Sequence, residues 1–543
     1  MSFHNVAADR RTFLKLTGMG LLAVSGAGSL AGCGQKEALQ VSNASAVKLP
    51  TYVPVEALKP DLPGTAQGVP AAYFNYPTPP TRTVTTPPLK GETFSAITNI
   101  FGAPPNPREK NPTWQAIEER LGGRLDITAV SSDDFKTKVN TTIAGNDIPD
   151  LILDDGASIP DIIGFLEAKC QDLTPFLSGD AIKEYPNLAA IPEIFWKQTV
   201  RAGKIYTLPI PRSPVGGLGM YRSDRFAEVG ITDTSQIKNA DEYLEVMKQL
   251  TNAQAGRWAF GTKAFGMSAF LQLFGAPNQW RESGGKLTYY LETEEYLEAV
   301  SFVRKAAAAG YIVPGSESWT NSQRSNAFIS GQVAQIYDGM PAYVNAGGYG
   351  TTIKDAKPFL PFAAAGGKPI AWLDNILFAS TMVKRNDEQK IRSLLGVANF
   401  LAAPFGSEEF MLLNYGLEGT DHTRDDRGNP VAKASALANT SVPWKFLVAP
   451  NPALYVPQQE ALTRNAHAAY STMVPLGVEN PTSTLFSPTN ARKGGTLRTA
   501  VSDTVTDHIT GRKTLDDVKS AIQTWRTGGG DQIRAEYEQA LAS

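Results

Sequence analysis

Between residues 93 and 154 the apolar positions switch back and forth between two periods. Residues 93–98 alternate and predict a short strand. Asn111-Pro112 then offers a capping side chain followed by proline at the first helical position. Trp114, Ile117 and Leu121 share one helical face, and Gly122-Gly123 ends that helix. Residues 125–130 alternate again, with Leu125, Ile127 and Ala129 on one side. Phe135, Val139 and Ile143 recur every fourth position and predict a second helix, closed at Gly145. Residues 150–154 read as a third strand. Strands and helices joined this tightly in βαβαβ order imply a parallel sheet covered on both faces, and so an α/β fold class.

Further along, helices are expected at 159–169, 191–200, 240–250, 294–309 and 387–402. An extended segment around a tight turn is expected at 202–209. Residues 219–226 read as a strand feeding a helix, 328–336 as a helix end turning into a strand, and 376–381 as a strand. Two last helices fall at 515–525 and 532–541. No internal repeat is present. Residues 34–90 have no period and are rich in Pro, Ala, Thr and Gly. Proline favours extended chain without donors, so the stretch is expected to be a semi-rigid tether, holding the body away from its anchor or packing along it.

The N-terminus carries its own signals. Asp9-Arg10-Arg11-Thr12-Phe13-Leu14-Lys15 resembles a twin-arginine export signal. The apolar run behind it, residues 16–30, is interrupted by four glycines and is short of the ~20 apolar residues a membrane span needs. Leu30-Ala31-Gly32-Cys33 resembles a bacterial lipobox, in which the cysteine is acylated (a palmitate-type anchor) and the chain is cut before it. Residues 1–32 are then a signal peptide. The mature protein is expected to face outward from the cell membrane, held by lipid on Cys33.

The 543 residues, 42% hydrophobic and 19% charged, fit an ordinary globular protein large enough for two domains. Removing residues 1–32 moves the formal charge from −2 to −4, which gives nucleic acid no basic surface to bind. With Cys33 lipidated, Cys170 has no partner and reads as a buried small hydrophobe. His422, His467 and His508 are not in metal-ligand spacing, and no GxSxG elbow occurs. Val215-Gly216-Gly217-Leu218-Gly219 lacks the Lys-Ser/Thr of a phosphate loop. Asp154-Asp155, at the end of an expected strand, is a carboxylate pair that invites glycosidic hydrolysis. Neighbours on a strand point to opposite faces, however, so a cleft-edge or capping role is expected for both. No cofactor and no metal are expected.

Several blocks, taken in order, resemble one family. They are the lipobox, Gly145-Asn146-Asp147-Ile148-Pro149-Asp150-Leu151, Gly203-Lys204-Ile205-Tyr206-Thr207-Leu208-Pro209, Tyr221-Arg222-Ser223-Asp224, residues 328–336, and the terminal stretch from Asp507 to Tyr537. Together they resemble the extracellular solute-binding lipoproteins of carbohydrate ABC importers, the long members of LipO and LplA type in particular. The resemblance spans about residues 90–543. It implies a two-lobe, periplasmic-binding-protein-like type II fold, closing by hinge motion on a ligand between the lobes. Lobe one is expected to comprise 90–210 and 335–378. Lobe two is expected to comprise 215–332 and 380–520, with 521–543 as a C-terminal helix. Crossings are expected near 209–214, 332–338 and 376–381.

On that reading the protein is a monomer that delivers a carbohydrate, an oligosaccharide by its length and aromatic supply, to an ABC permease. The alternatives are a membrane-anchored polysaccharide-degrading enzyme and a tethered interaction protein. Sugars present apolar faces and hydroxyl rings, which aromatics and Asp, Asn or Arg recognise respectively. Trp372 and Asp374 lie just before a strand at an expected crossing, Arg212 at another, and Asp338 and Tyr343 at the end of a third. Trp280, Tyr415 and Trp444 stand in loops expected in lobe two, and Asp154 and Asp155 at a strand end. The polar loop 420–442 has no counterpart that the family suggests.

Overall fold

The computed structural model describes residues 47–542, apart from 55–57, 157, 160, 346, 374, 375 and 484. Arg10, Arg11, Cys33 and Asp374 therefore lie outside the described residues. Strand β1 (Thr93–Ile100) leads into helix α1 (Pro112–Leu121), whose first turn is capped by the Asn111 side chain, 3.0 Å from the Trp114 amide. Trp114, Ile117 and Leu121 are buried, and Gly122 ends the helix with a positive φ of 73°. Strand β2 (Arg124–Ser131), helix α2 (Phe135–Ala144) and strand β3 (Leu151–Asp154) follow. Both β2 and β3 pair in parallel with β1.

The sheet is completed by β4 (Thr207–Pro211) and by a strand that arrives much later in the chain. Strands β5 (Gly217–Arg222), β6 (Gln335–Gly339) and β7 (Ala356–Phe359) form a separate antiparallel sheet in the order β6-β5-β7. Strand β8 (Leu377–Val383) then returns to the first sheet, antiparallel between β3 and β4, giving the order β2-β1-β3-β8-β4. Two sheets, each with its own cores, make two lobes.

This pairing corrects the division expected from sequence. Residues 335–359 belong to lobe two, because β6 and β7 pair with β5. Residues 377–448 belong to lobe one, because β8 sits in its sheet and Leu394, Leu395, Phe400 and Leu447 pack into its core. The crossings are at 211–217, 373–377 and 449–454, with none at 332–338. The C-terminal helices are no separate unit, since Ile522, Trp525, Ile533 and Tyr537 are buried with Phe270 and Val300 in lobe two.

The proline-rich arm is packed onto the body. The Thr51 and Val53 amides bond to the Gly179 and Ala189 carbonyls of lobe one, at 2.9 and 2.8 Å. The arm then passes to lobe two, where Leu454 exchanges two backbone bonds with Ala71 and Tyr73, each 2.9 Å. It comes back to lobe one where the Thr83 and Val84 amides meet the buried Glu409 carboxylate, both at 3.1 Å. Tyr76 anchors the return. Its hydroxyl donates to the Ser407 carbonyl at 2.6 Å, its amide donates to Asn429 Oδ1 at 2.8 Å, and its ring lies 5.0 Å from Phe405. The loop 420–442 thus has a role in holding the arm: Asn429 also donates to Asn75 at 3.0 Å and accepts from Tyr455 at 2.7 Å.

Replacing Tyr76, only 2% exposed, with alanine is expected to cost about 3 kcal/mol of stability through the cavity and the lost bond. Denaturant unfolding measures this. A loss below about 1 kcal/mol would show that the arm is not part of the cooperative fold.

Candidate functional site

A cleft of about 1710 Å³ opens between the lobes. Its walls come from distant parts of the chain: Phe195, Lys197 and Gln198 of lobe one, Trp280 and Tyr289 of lobe two, and Trp525 and Tyr537 of the C-terminal helices. The arm supplies residues 64–71 as a further wall. That loop is pressed against the first crossing: Ser213 Oγ donates to the Gly68 carbonyl at 3.0 Å, and a side-chain carbon at Gly68 would stand 2.5 Å from Pro214. Only glycine fits there, the more so with φ at 106°.

One wall is aromatic. Tyr289 and Trp525 stack at 4.6 Å with their planes 12° apart, and Trp280 lies 4.6 Å from Tyr289. Burial raises the Tyr289 hydroxyl well above the usual phenol range, so it stays protonated.

Lobe one offers a second aromatic surface at the carboxyl end of β1, the edge where open α/β sheets place their ligands. Phe101, 55% exposed, meets Phe378 at 6.0 Å and Phe446 at 5.5 Å. The Arg212 guanidinium lies 4.7 Å from the Phe378 ring centre, and Arg212 also lines the cleft, so the two surfaces adjoin. Lobe two faces this edge, because Asn321 reaches Ser132 and Asp133 after β2, at 3.4 and 3.3 Å.

The residues expected from sequence are distributed unevenly. Arg212 and Trp280 line the cleft. Trp372 lies in the short strand Ala371–Leu373, where the pleat sends neighbouring side chains to opposite sides. Leu373 faces the cleft, whereas the Trp372 indole is buried behind it and donates to the Ala276 carbonyl at 2.8 Å. Asp338 accepts from Arg324 at 2.8 Å and from Tyr349 at 3.1 Å. Tyr343 is fully buried, with its hydroxyl on the Ala356 carbonyl at 3.2 Å. Trp444 packs edge-on against Trp114 in the core of lobe one, not in lobe two. Tyr415 packs against Tyr76 and Tyr455, also away from the cleft.

Asp154 is buried, which raises its carboxyl above the usual range against the opposing pull of the Gly156 amide and of Arg201. Asp155 is exposed and accepts from the Ser158 amide and hydroxyl, at 2.8 and 2.7 Å. Neither carboxylate lines the cleft. Only Gly156 beside them lines the cleft. Sequence reasoning missed Phe101, whose signal was a large aromatic directly after a strand. It also missed Lys197 and the arm, which carried none.

Residues 114–407 match the family described as bacterial extracellular solute-binding protein. This chain belongs to that family. Two Bacillus subtilis (strain 168) proteins are similar along most of their length. The polygalacturonan/rhamnogalacturonan-binding protein YtcQ is 23% identical over 470 residues, covering 80% of this chain and 88% of YtcQ. Lipoprotein LipO is 21% identical over 471 residues, covering 81% and 91%. Among solved structures, the Streptococcus pneumoniae ABC-transporter substrate-binding protein FusA in complex with kestose superposes with a TM-score of 0.62 at 16% identity. That match covers 83% of this chain and all of FusA. The fold of this solute-binding protein is therefore the two-lobe architecture of sugar-binding proteins, and its cleft lies where two lobes meet.

Two substitutions separate the exposed aromatic surface beside the cleft from the core. Phe101→Ala is expected to leave stability within about 0.5 kcal/mol, because the ring is exposed. It should weaken solute binding by about 2 kcal/mol, or roughly 30-fold. Trp372→Ala is expected to cost about 3–5 kcal/mol of stability. Melting and binding measured on both variants decide it, and a Phe101→Ala protein that binds like the parent removes that ring from the site.

Proposed function

We propose that this protein captures an oligosaccharide outside the cell and delivers it to the permease of an ABC importer. The observation that carries the reading is the inter-lobe cleft. At about 1710 Å³ it exceeds the roughly 300–1,000 Å³ of an ordinary small-molecule pocket, and its walls combine aromatic, amide and charged side chains. That is the surface a chain of several sugar rings requires. The names of YtcQ and FusA, which report binding of galacturonan polymers and of fructooligosaccharide, support the same class. Hydrolysis is disfavoured as a reading because neither Asp154, which is buried, nor Asp155, which is bonded to Ser158, lines the cleft. Among the described residues, no cluster of three His, Cys, Asp or Glu side chains is placed to hold a metal.

Incubated with a glycan panel, the mature protein is expected to bind one sugar class saturably by calorimetry and to leave its chain length unchanged. Sustained release of shorter sugars would replace capture with catalysis.

We also infer that the mature protein is a monomer anchored by lipid on Cys33 after twin-arginine export. The lipobox and the Arg10-Arg11 pair motivate this, and LipO is by name a lipoprotein. Cys33→Ala is expected to abolish lipid labelling and to leave the protein uncut or shed. A variant still fractionating with membranes at parental level would overturn the anchor.

A further inference from the structure

Several local irregularities of lobe two converge on one patch of the cleft. Gln279 has a φ of 60°, a left-handed conformation that glycine, Asn or Asp adopts far more readily than glutamine. Its surroundings hold it there. The Tyr290 amide donates to the Gln279 carbonyl at 2.8 Å, and the neighbouring Asn278 side chain donates to the Leu373 and Val478 carbonyls at 2.8 and 3.0 Å. Backbone strain maintained in this way clusters at binding sites. Two π-helical turns, Asn490–Gly494 and Arg526–Gly530, pack against one another on the same side of the cleft. Such turns make up well under ~1% of residues and are frequent at functional sites. In the first of them a side chain at Gly494 would overlap Asn490 Oδ1 and crowd Arg498. Glycine thus leaves the space in which the Arg498 guanidinium donates to Asn490 Oδ1 at 2.9 Å.

These features bring polar groups into one row. Gln279, Tyr289, Asn490, Arg498 and Tyr537 all line the cleft. The Tyr289 hydroxyl donates to Gln279 Oε1 at 3.2 Å, and the Asn490 amide nitrogen donates to the Tyr537 hydroxyl at 3.0 Å. Each bond uses only part of its group's capacity. The Gln279 amide nitrogen carries two donors and bonds to no described residue, and Arg498 has further donors beside the one on Asn490.

We propose that Gln279, Asn490 and Arg498 form a subsite that reads the hydroxyl groups of one sugar ring, held in place by the packed rings of Tyr289 and Tyr537. This rests on the oligosaccharide reading above and assigns specificity within it. Gln279 and Arg498 donate to hydroxyl oxygens, while Asn490 Oδ1 accepts a hydroxyl hydrogen on the lone pair that Arg498 leaves open. A site built to bond hydroxyls discriminates strongly against a sugar lacking one, because its own polar groups are then left unpaired. Asn490 and Arg498 lie beyond residues 114–407, so this part of the site is built by segments outside the family match.

The test uses the mature protein and a calorimetric panel of defined oligosaccharides that includes kestose, maltotetraose and tetragalacturonic acid; the tightest binder is carried forward. Gln279→Gly accepts the left-handed backbone and removes the amide, so the melting temperature is expected to hold or rise while affinity falls about tenfold or more. Arg498→Ala, at an exposed position, is expected to lose affinity likewise without destabilising the fold. Sugars deoxygenated at single positions then locate each contact. The hydroxyl whose removal weakens binding to the parent should matter little to the variant that has lost its partner. Parental affinity in both variants overturns the subsite and leaves oligosaccharide capture standing. Affinity lost only together with melting temperature, and equally for every deoxygenated sugar, gives these residues a structural role and overturns the subsite as well. Refusal of the whole panel by the parent overturns the oligosaccharide reading and the subsite with it.

Discussion

The architecture depends on one pair of antiparallel strands. The chain leaves lobe one at the end of β4 and returns at the start of β8, and these ends are hydrogen-bonded neighbours: Leu377 faces Pro211, and the Arg212 amide donates to the Ile376 carbonyl at 2.7 Å. Two of the three crossings therefore run side by side. Domain closure concentrates its backbone rotation in a few residues at element ends. A pair of bonded strands allows bending about one line and resists shear. The register slips between Leu377 and Ala379, and such an irregularity loosens a ladder locally while leaving the strand in place. Arg212, one residue beyond the pair, lines the cleft, so the site begins where the lobes separate.

The arm sets a second constraint on that geometry. It is bonded to lobe one, then to lobe two, then to lobe one again, and between the second and third contacts it is fixed by Tyr76. Proline-rich chain suits this path, because it is extended and loses little entropy when laid on a surface. The same segment that connects the body to Cys33 also presents residues 64–71 to the cleft. Whatever fixes the arm at its outer end is thus covalently continuous with one wall of the site.

The βαβαβ half of lobe one was legible because its signals are local. Asn111-Pro112 with Gly122 marks both ends of α1, and the change from period two to period four marks each strand and helix. The lobe assignment of β6 and β8 was not legible. β6 is buried in its first two residues and β8 along nearly its whole length, and only the distant partner, β5 in one case and β3 with β4 in the other, decides which sheet each joins. Non-local pairing leaves no trace in composition or spacing. Trp372 illustrates the related failure at the site. Its neighbourhood was placed near a crossing, but one residue of pleat decides whether the indole or Leu373 meets the cleft.

One wall of the cleft depends on the last helices of the chain. The sheet of lobe two has only three strands, and most of its bulk is helical, including the last helices of the chain. Trp280 and Tyr289 lie on a hairpin in mid-chain, yet they are held by Trp525 and Tyr537, more than 200 residues later. Glu292 is paired to Arg526 at 3.2 Å and also to Arg534, which ties that hairpin to both terminal helices. The aromatic wall therefore forms only once the C-terminus has docked. Rings packed on one another in this way keep fixed orientations. A rigid wall spends no side-chain entropy when a ligand arrives. The ring of Phe101, exposed beside Arg212's end of the cleft, has no such packing on its outer face.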